Sequence, residues 1–289
     1  MSRRLEQQAA PAGTGVSHVF PIGSRLNERG WLEIGGCDVI ELAEQFGTPA
    51  YVYAEDDIRA RARQYMDAFR ARTDHFEVVY ASKAFPCTAA YRLLVEEGLS
   101  CDVASGGELF LALKGGFPPE RIYLHGNNKS DAEIEYALEQ GVGHIVVDSF
   151  DELERLERMA PGQKVLLRVT PGIRPETHDF IATGQEDSKF GFGIEAAREA
   201  ISRVDKLDLV GLHAHIGSQI FQLDPYEKLG EVLSGIGDYP LLNLGGGLGV
   251  AYTRQQEPRK PQRPPGSRTS IRSGRDSTSG DASRSAAAT

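Results

Sequence analysis

Lys83, in "YASKAFP", comes at the end of the apolar run "FEVVY", where an ammonium must either reach water or work in a protected place. It is the first of a series. Asp102 sits in "LSCDV", His125 ends "RIYLH", Asp148 ends "HIVVD" and Arg168 lies in "VLLRV". His213 and His215 follow in "GLHAHIGS", and Gly245, Gly246 and Gly247 follow "LLNL". Each residue type suggests a chemistry. A lysine amine sheltered from bulk water gives up its proton more readily and attacks carbonyl carbon. "GGGLG" directly after an apolar run lets successive backbone N–H groups approach an anion such as phosphate. It is not the dinucleotide fingerprint GxGxxG, since no acid follows at the required distance.

"HAHIGS" admits two readings. Two imidazoles on one strand face could ligate a metal, with His125 and Asp148 completing the set. Alternatively, the His215 ring lies flat against a planar cofactor while Ser218 joins the glycines around a phosphate. The metal reading leaves Lys83 and the glycines without work. A lysine, an anion cradle and a flat ring together suggest pyridoxal 5'-phosphate, with no metal.

The elements that would position these residues recur regularly. Seven short, β-branched runs begin at Phe76, the first five starting roughly 22 residues apart, which is the length of a compact strand–helix unit. Between them, "AAYRLLVEEG", "GGELFLALKGG", "SDAEIEYALEQG" and "FDELERLERMA" carry apolar residues at helical spacing. Strands apolar on both faces belong to parallel sheets covered by helices. An open doubly wound sheet and a (β/α)8 barrel both fit, and the even spacing favours the α/β barrel. In a barrel, residues ending the strands gather on one face. A long excursion, "TPGIRPETHDFIATGQEDSKFGFGI", interrupts the rhythm and predicts a functional loop. Ahead of the barrel, a helix is expected around Val39–Phe46, an extended run over Ala50–Tyr53 and a longer helix from about Asp56.

Composition sets bounds. The chain has 289 residues, 40% apolar and 25% charged, as in ordinary globular proteins. Cys37, Cys87 and Cys101 form no CxxC pair, and no leader-like apolar stretch follows Arg3 and Arg4; both features predict a reducing cytoplasm. Residues 1–253 carry 24 Lys/Arg against 38 Asp/Glu, which predicts neither nucleic acid nor membrane as partner. Residues 254–289 reverse this, with eight Lys/Arg against three Asp/Glu and Ile271 as the one large aliphatic residue. Such a segment cannot offset its chain entropy and is expected to be disordered.

From about Gly30 to Tyr252 the sequence resembles the diaminopimelate decarboxylases, a branch of the alanine-racemase and ornithine-decarboxylase class of pyridoxal-phosphate enzymes. The matching stretches are "GTPAYVYAEDDIR", "YASKAF", "CDVASGGEL", "HGNNKS", "HDFIATGQEDSKFG", "GLHAHIGSQI" and "LNLGGGLG". The resemblance implies that Lys83 binds the cofactor covalently, with Asp102 and Glu108 nearby and Arg168 beneath. It implies that His215 stacks on the ring, and that Ser218 with Gly245, Gly246 and Gly247 holds the phosphate. His178 and Lys189, on the long loop, would face the substrate. The implied reaction converts meso-2,6-diaminopimelate to L-lysine in a homodimer. A decarboxylase for arginine, ornithine or carboxynorspermidine is disfavoured by "HDFIATG", and a barrel that holds the cofactor without catalysis is a further alternative.

The implied organisation is a disordered stretch 1–25, a segment 26–55 of a second β domain, a cofactor-binding barrel 56–253 and a non-family tail 254–289. The resemblance also implies an eighth strand bearing "EPGR" and a C-terminal β domain carrying a cysteine proton donor. "EPRK" at Glu257–Lys260 follows the seventh strand too closely to be that motif. The expected fold is therefore a (β/α)8 barrel of the alanine-racemase type, incomplete, without its eighth strand and C-terminal β domain. The expected consequences are impaired folding, doubtful dimerisation and little activity.

Overall fold

The computed structural model of the protein describes residues 16–173, residues 189–256 and the backbone of residues 285–288. At the N-terminal end, β1 (Arg25–Leu26), β2 (Leu32–Ile34) and β3 (Cys37–Asp38) form a small antiparallel sheet. Asp38 ends the sheet and caps α1 (Val39–Phe46), its carboxylate accepting from the amides of Ile40 and Glu41. Residues 50–53 are not in a strand, and α2 (Glu55–Arg70) begins with three acids that complement its dipole.

The strand–helix rhythm then runs as expected: β4 (Phe76–Ala81), α3 (Thr88–Glu96), β5 (Ser100–Val103), α4 (Gly106–Gly115), β6 (Ile122–Leu124), α5 (Asp131–Gln140), β7 (His144–Val147), α6 (Phe150–Met159) and β8 (Lys164–Thr170). After the long excursion come β9 (Phe192–Gly193), α7 (Ile194–Arg203), β10 (Asp208–His213), α8 (Asp224–Ile236) and β11 (Leu241–Asn243), and finally β12 (Ser285–Ala288). β4 to β8 pair in order, β10 pairs with β8, β11 with β10, and β12 lies between β11 and β4. All these pairings are parallel, so the sheet closes into an eight-membered ring, with β9 as a two-residue flap on β8. The α/β barrel type is as the spacing predicted.

The eighth place is where structure and expectation differ. Its occupant is not an "EPGR"-type strand but Ser285–Ala288, drawn from the tail expected to be wholly disordered. The seventh and first strands are accordingly paired on that side rather than open. The physical reason is that a ladder is made of backbone N–H and C=O groups, which alanine and serine possess as fully as valine. A search for bulky apolar runs passes over such a strand. It also brings none of the charged residues implied for that place, being Ser-Ala-Ala-Ala.

Period-two alternation sorts the strand residues onto two faces. Val78, Cys101, Ile122, Leu124, Ile145, Val147, Val165, Leu167 and Leu212 face outward, into one large core shared with the helices. Val79, Tyr123, Val146, Leu166 and Leu241 form a separate cluster, although they come from five strands spread around the ring. Only the barrel lumen brings those side chains together, so they form its waist. Below the waist, Glu77 accepts from Ser100 Oγ and from the Tyr123 hydroxyl, and Tyr123 stacks on His144 with centroids 4.4 Å apart. Above it, one alternation further along the strands, stand Asp102, His125, Asp148, Arg168, His213 and Asn243. These polar residues form the floor of the barrel mouth.

Candidate active site

The floor is internally paired. Asp102 Oδ2 lies 2.9 Å from His125 Nδ1, and each side chain is 13% exposed. Arg168 Nη1 donates to Asp148 Oδ1 at 3.2 Å, and both residues are buried. Burial lowers the affinity of Arg168 for its proton and Asp148 opposes that effect. His213 is buried edge-to-face against His125, with centroids 4.6 Å apart. Desolvation, with His125 and Arg168 adding positive charge, pushes its pKa well down. Each carboxylate is thus matched by a partner from a neighbouring strand.

Above the floor stand the residues that could bind a ligand. Lys83 lies in a single 3-10 turn, Ser82–Ala84, at the end of β4. Its side chain is exposed, so the shelter expected for it is not provided by the described residues. Glu108, in the first turn of α4, accepts from Ser82 Oγ and, at 2.9 Å, from the Ala104 amide. Its carboxylate thereby joins the turn that carries Lys83 to the loop between β5 and α4.

His215, just beyond β10, is partly buried, and its pKa is pushed down to about 4 by desolvation first and then by Lys83, Arg168 and His125. The ring is therefore neutral near pH 7, and its Nδ1 accepts from the Gly246 amide at 3.4 Å. That bond leaves the proton on Nε2.

The glycine turn is built around the loop after β10. Ile220 N donates to Gly247 O and Gly249 N to Ile220 O, each at 2.9 Å, zipping the two loops together. Gly245 N donates to the buried Asn243 Oδ1, and the Tyr226 hydroxyl to Gly246 O. Gly245 at φ 68° and Gly247 at φ 101° occupy conformations that L side chains rarely adopt. A Cβ on Gly245 would strike the Ala214 carbonyl, and one on Gly247 the Gly217 carbonyl. Glycine is required at both positions. Ser218 is exposed beside this turn.

The expected residues Lys83, Asp102, Glu108, Arg168, His215, Ser218 and Gly245–Gly247 therefore meet at one end of the barrel. His178 lies outside the described residues. Lys189 is exposed, with its Nζ 5.0 Å from the Phe190 ring centroid, while Arg168 Cζ lies 4.3 Å from the same centroid. Sequence reasoning passed over Ser82, Asn243, Tyr226 and Phe190, which act on the site through other residues. The metal reading finds no support in the geometry: among the described residues, no three His, Cys, Asp or Glu are grouped to hold an ion.

Residues 55–266 match the family described as pyridoxal-dependent decarboxylase, pyridoxal binding domain. Over 253 residues the chain is 48% identical to the diaminopimelate decarboxylase of Bacillus methanolicus, covering 81% of this chain and 59% of that protein. The Mycobacterium tuberculosis (strain H37Rv) diaminopimelate decarboxylase is 44% identical over 263 residues, covering 83% of this chain and 58% of its own. Among solved structures, diaminopimelate decarboxylase from M. jannaschii in complex with L-lysine matches with a TM-score of 0.74 at 34% identity, over 82% of this chain and 59% of that one. The lysine/ornithine decarboxylase of Vibrio vulnificus, complexed with putrescine, matches with a TM-score of 0.65 at 26% identity, over 77% of this chain and 59% of that one. The chain thus spans less than two thirds of the length of these relatives.

Proposed function

The chain belongs to the pyridoxal-dependent decarboxylases, by that family's pyridoxal-binding domain, and from this premise we propose that it serves the decarboxylation of meso-2,6-diaminopimelate to L-lysine. The observation that carries the reading is the meeting, at one barrel mouth, of an exposed lysine, a neutral histidine and a turn that admits only glycine. The 48% identity to a diaminopimelate decarboxylase supports the substrate over the ornithine-type alternative, whose solved representative is 26% identical.

The residues present fit pyridoxal phosphate. Lys83 would hold its aldehyde carbon, His215 its ring, and Ser218 with Gly245, Gly246 and Gly247 its phosphate. When bound, the group supplies an electron sink for the pair left on the substrate α-carbon as carbon dioxide departs. The chain's own part is positional and electrostatic. His215, uncharged and fixed by Gly246, offers a flat face without adding a cation to Lys83 and Arg168. Arg168 is tied by Asp148, so it contributes directed positive charge beneath the site at little cost in mobility. Asp102, tied by His125, keeps a carboxylate close to the lysine-bearing strand. His178 and Lys189 are proposed to meet the substrate.

We propose a homodimer in the cytoplasm. An apolar surface on residues 46–53, with Phe46 71% and Tyr51 93% exposed, supports a protein partner. The three cysteines, all free, support a reducing compartment. No helix among the described residues is long and apolar enough to cross a membrane.

The test is to load the chain with pyridoxal phosphate, reduce with borohydride and map the modified lysine by mass spectrometry. Release of carbon dioxide is then compared among meso-diaminopimelate, L-ornithine, L-arginine and L-lysine. Label on Lys83 and preference for diaminopimelate are expected, in a full-length relative carrying this barrel if the chain alone is silent. Label confined to Lys114, Lys129 or Lys189 would overturn the assignment.

A further inference from the structure

Three consecutive strand–helix turns carry the same four-residue spacing, Ser105-x-x-Glu108, Ser130-x-x-Glu133 and Ser149-x-x-Glu152. In each, the serine caps the helix by accepting from the amide of the glutamate three residues on. The glutamate does more than complete a cap. Each carboxylate reaches back to the preceding unit: Glu108 to Ser82 Oγ, Glu133 to the Gly106 amide at 2.9 Å, and Glu152 to Lys129 Nζ at 2.6 Å. The result is a chain of stitches around part of the barrel mouth, running from α6 back to the end of β4.

The last stitch ends beside Lys83. Ser82 is fully buried, and Glu108 Oε2 receives both its hydroxyl and the Ala104 amide. The other end of the turn is held separately. Phe85 stacks on Tyr53 with centroids 4.1 Å apart, and its carbonyl accepts from the Tyr80 hydroxyl at 3.3 Å. The turn itself closes with the bond from Phe85 N to Ser82 O at 3.1 Å. An exposed lysine with a long, freely rotating stem is thereby carried on a backbone fixed at both ends.

We propose that Glu108 is a positioning residue for Lys83, acting through Ser82, and that Glu133 supports it by seating the first residue of α4. This rests on the proposed role of Lys83 for its consequence, but not for its geometry. Without the Ser82–Glu108 bond the turn loses a charge-assisted hydrogen bond, and the amine samples more directions. Positioning of this kind changes how fast Lys83 meets an aldehyde without touching the aldehyde itself.

The experiment uses the whole chain and the variants Glu108→Ala, Glu108→Gln, Ser82→Ala and Ser82→Thr. Amide hydrogen exchange at Phe85, measured without cofactor, reports the turn directly. Exchange about tenfold faster in Ser82→Ala and Glu108→Ala is expected, with Val79 and Leu124 amides unchanged, and with the parent rate restored in Ser82→Thr. In parallel, each protein is mixed with pyridoxal phosphate and reduced, and adduct formation is timed at Lys83 and at the exposed Lys114. A fall of about tenfold at Lys83 with Lys114 constant supports positioning. Equal exchange at Phe85 and equal labelling of Lys83 in every variant would overturn it. Faster exchange throughout the barrel would also overturn it, since the bond would then serve general stability. If the parent itself fails to label at Lys83, the cofactor reading fails, and exchange at Phe85 still decides whether Glu108 holds the turn.

Discussion

His144, His213 and His215 all have pKa values below the ordinary histidine range, with burial as the leading cause in each case. Above about pH 6.5 all three are neutral whether the chain is folded or not, and they add no pH dependence. As pH falls below that value the unfolded chain takes up protons that the folded chain refuses, so stability declines. The decline continues until the folded pKa is passed, about 4 for His215. Each proton contributes roughly 1.4 kcal/mol per pH unit, so three give at most about 4 kcal/mol per unit. Urea midpoints between about pH 7.5 and 5 are expected to fall steeply, and less so in His144→Gln. A flat profile would show that the rings are better hydrated than their burial indicates. Gly247→Ala is expected to lower stability by roughly 1–3 kcal/mol through its positive φ and the Gly217 carbonyl, and to weaken cofactor binding in parallel. Thermal melts and a spectroscopic titration with pyridoxal phosphate check the two effects. These residues were legible in sequence because glycine, histidine and lysine at strand ends are conspicuous. Asn243 and Ser82 were not, since a buried asparagine or serine does its work through geometry that no spacing reveals.

Helix caps and strand closure are the forces that act at the scale of elements. Ser130 and Glu133 form a complete capping box at the start of α5, each bonding to the other's backbone amide. Ser130→Ala is expected to cost about 1 kcal/mol, read from the denaturant midpoint, because the Glu133 amide loses its acceptor. The helix was visible in "SDAEIEYALEQG" from its apolar spacing, as were the seven strands with β-branched residues. β9 and β12 were not visible, since two residues and a Ser-Ala-Ala-Ala stretch carry no periodic signal. Ala286→Pro tests the latter: removing one ladder N–H from a four-residue strand is expected to open the seam between β11 and β4. Faster exchange of the Phe76–Val78 and Leu241–Asn243 amides, with increased binding of an apolar dye, is the expected result. An unchanged exchange pattern would mean that β12 contributes nothing to closure.

For the molecule as a whole, the eighth strand place decides what the 289-residue chain can do by itself. A residue able to pair with a pyridine nitrogen is expected from that strand by the family resemblance, and Ser285–Ala288 has no such side chain. The chain alone is therefore expected to bind pyridoxal phosphate through Lys83 but to give no lysine-forming activity above background. Expression in a lysine-requiring strain lacking this activity checks it; robust growth without lysine would mean that the acid is dispensable. The barrel type could be read from the even strand spacing, and the mouth from the residues at strand ends. Ring closure could not, because it depends on backbone alone.

The waist of the barrel separates two titrating ends. Val79, Val146, Leu166 and Leu241 fill it, and the polar atom that Tyr123 brings there is directed down to Glu77. The hydrogen bonds of the foot, from Ser100 and Tyr123 to Glu77, lie below this layer, and the Asp102–His125 and Arg168–Asp148 pairs lie above it. The layer acts as a gasket of apolar side chains between the hydrogen-bonded group at the foot and the ion pairs of the floor. Protonation of His144 acts on the foot of the barrel, while His213 and His215 carry the response of the mouth. Cofactor affinity is expected to follow the histidines of the mouth alone, and overall stability the sum of both ends of the same tube.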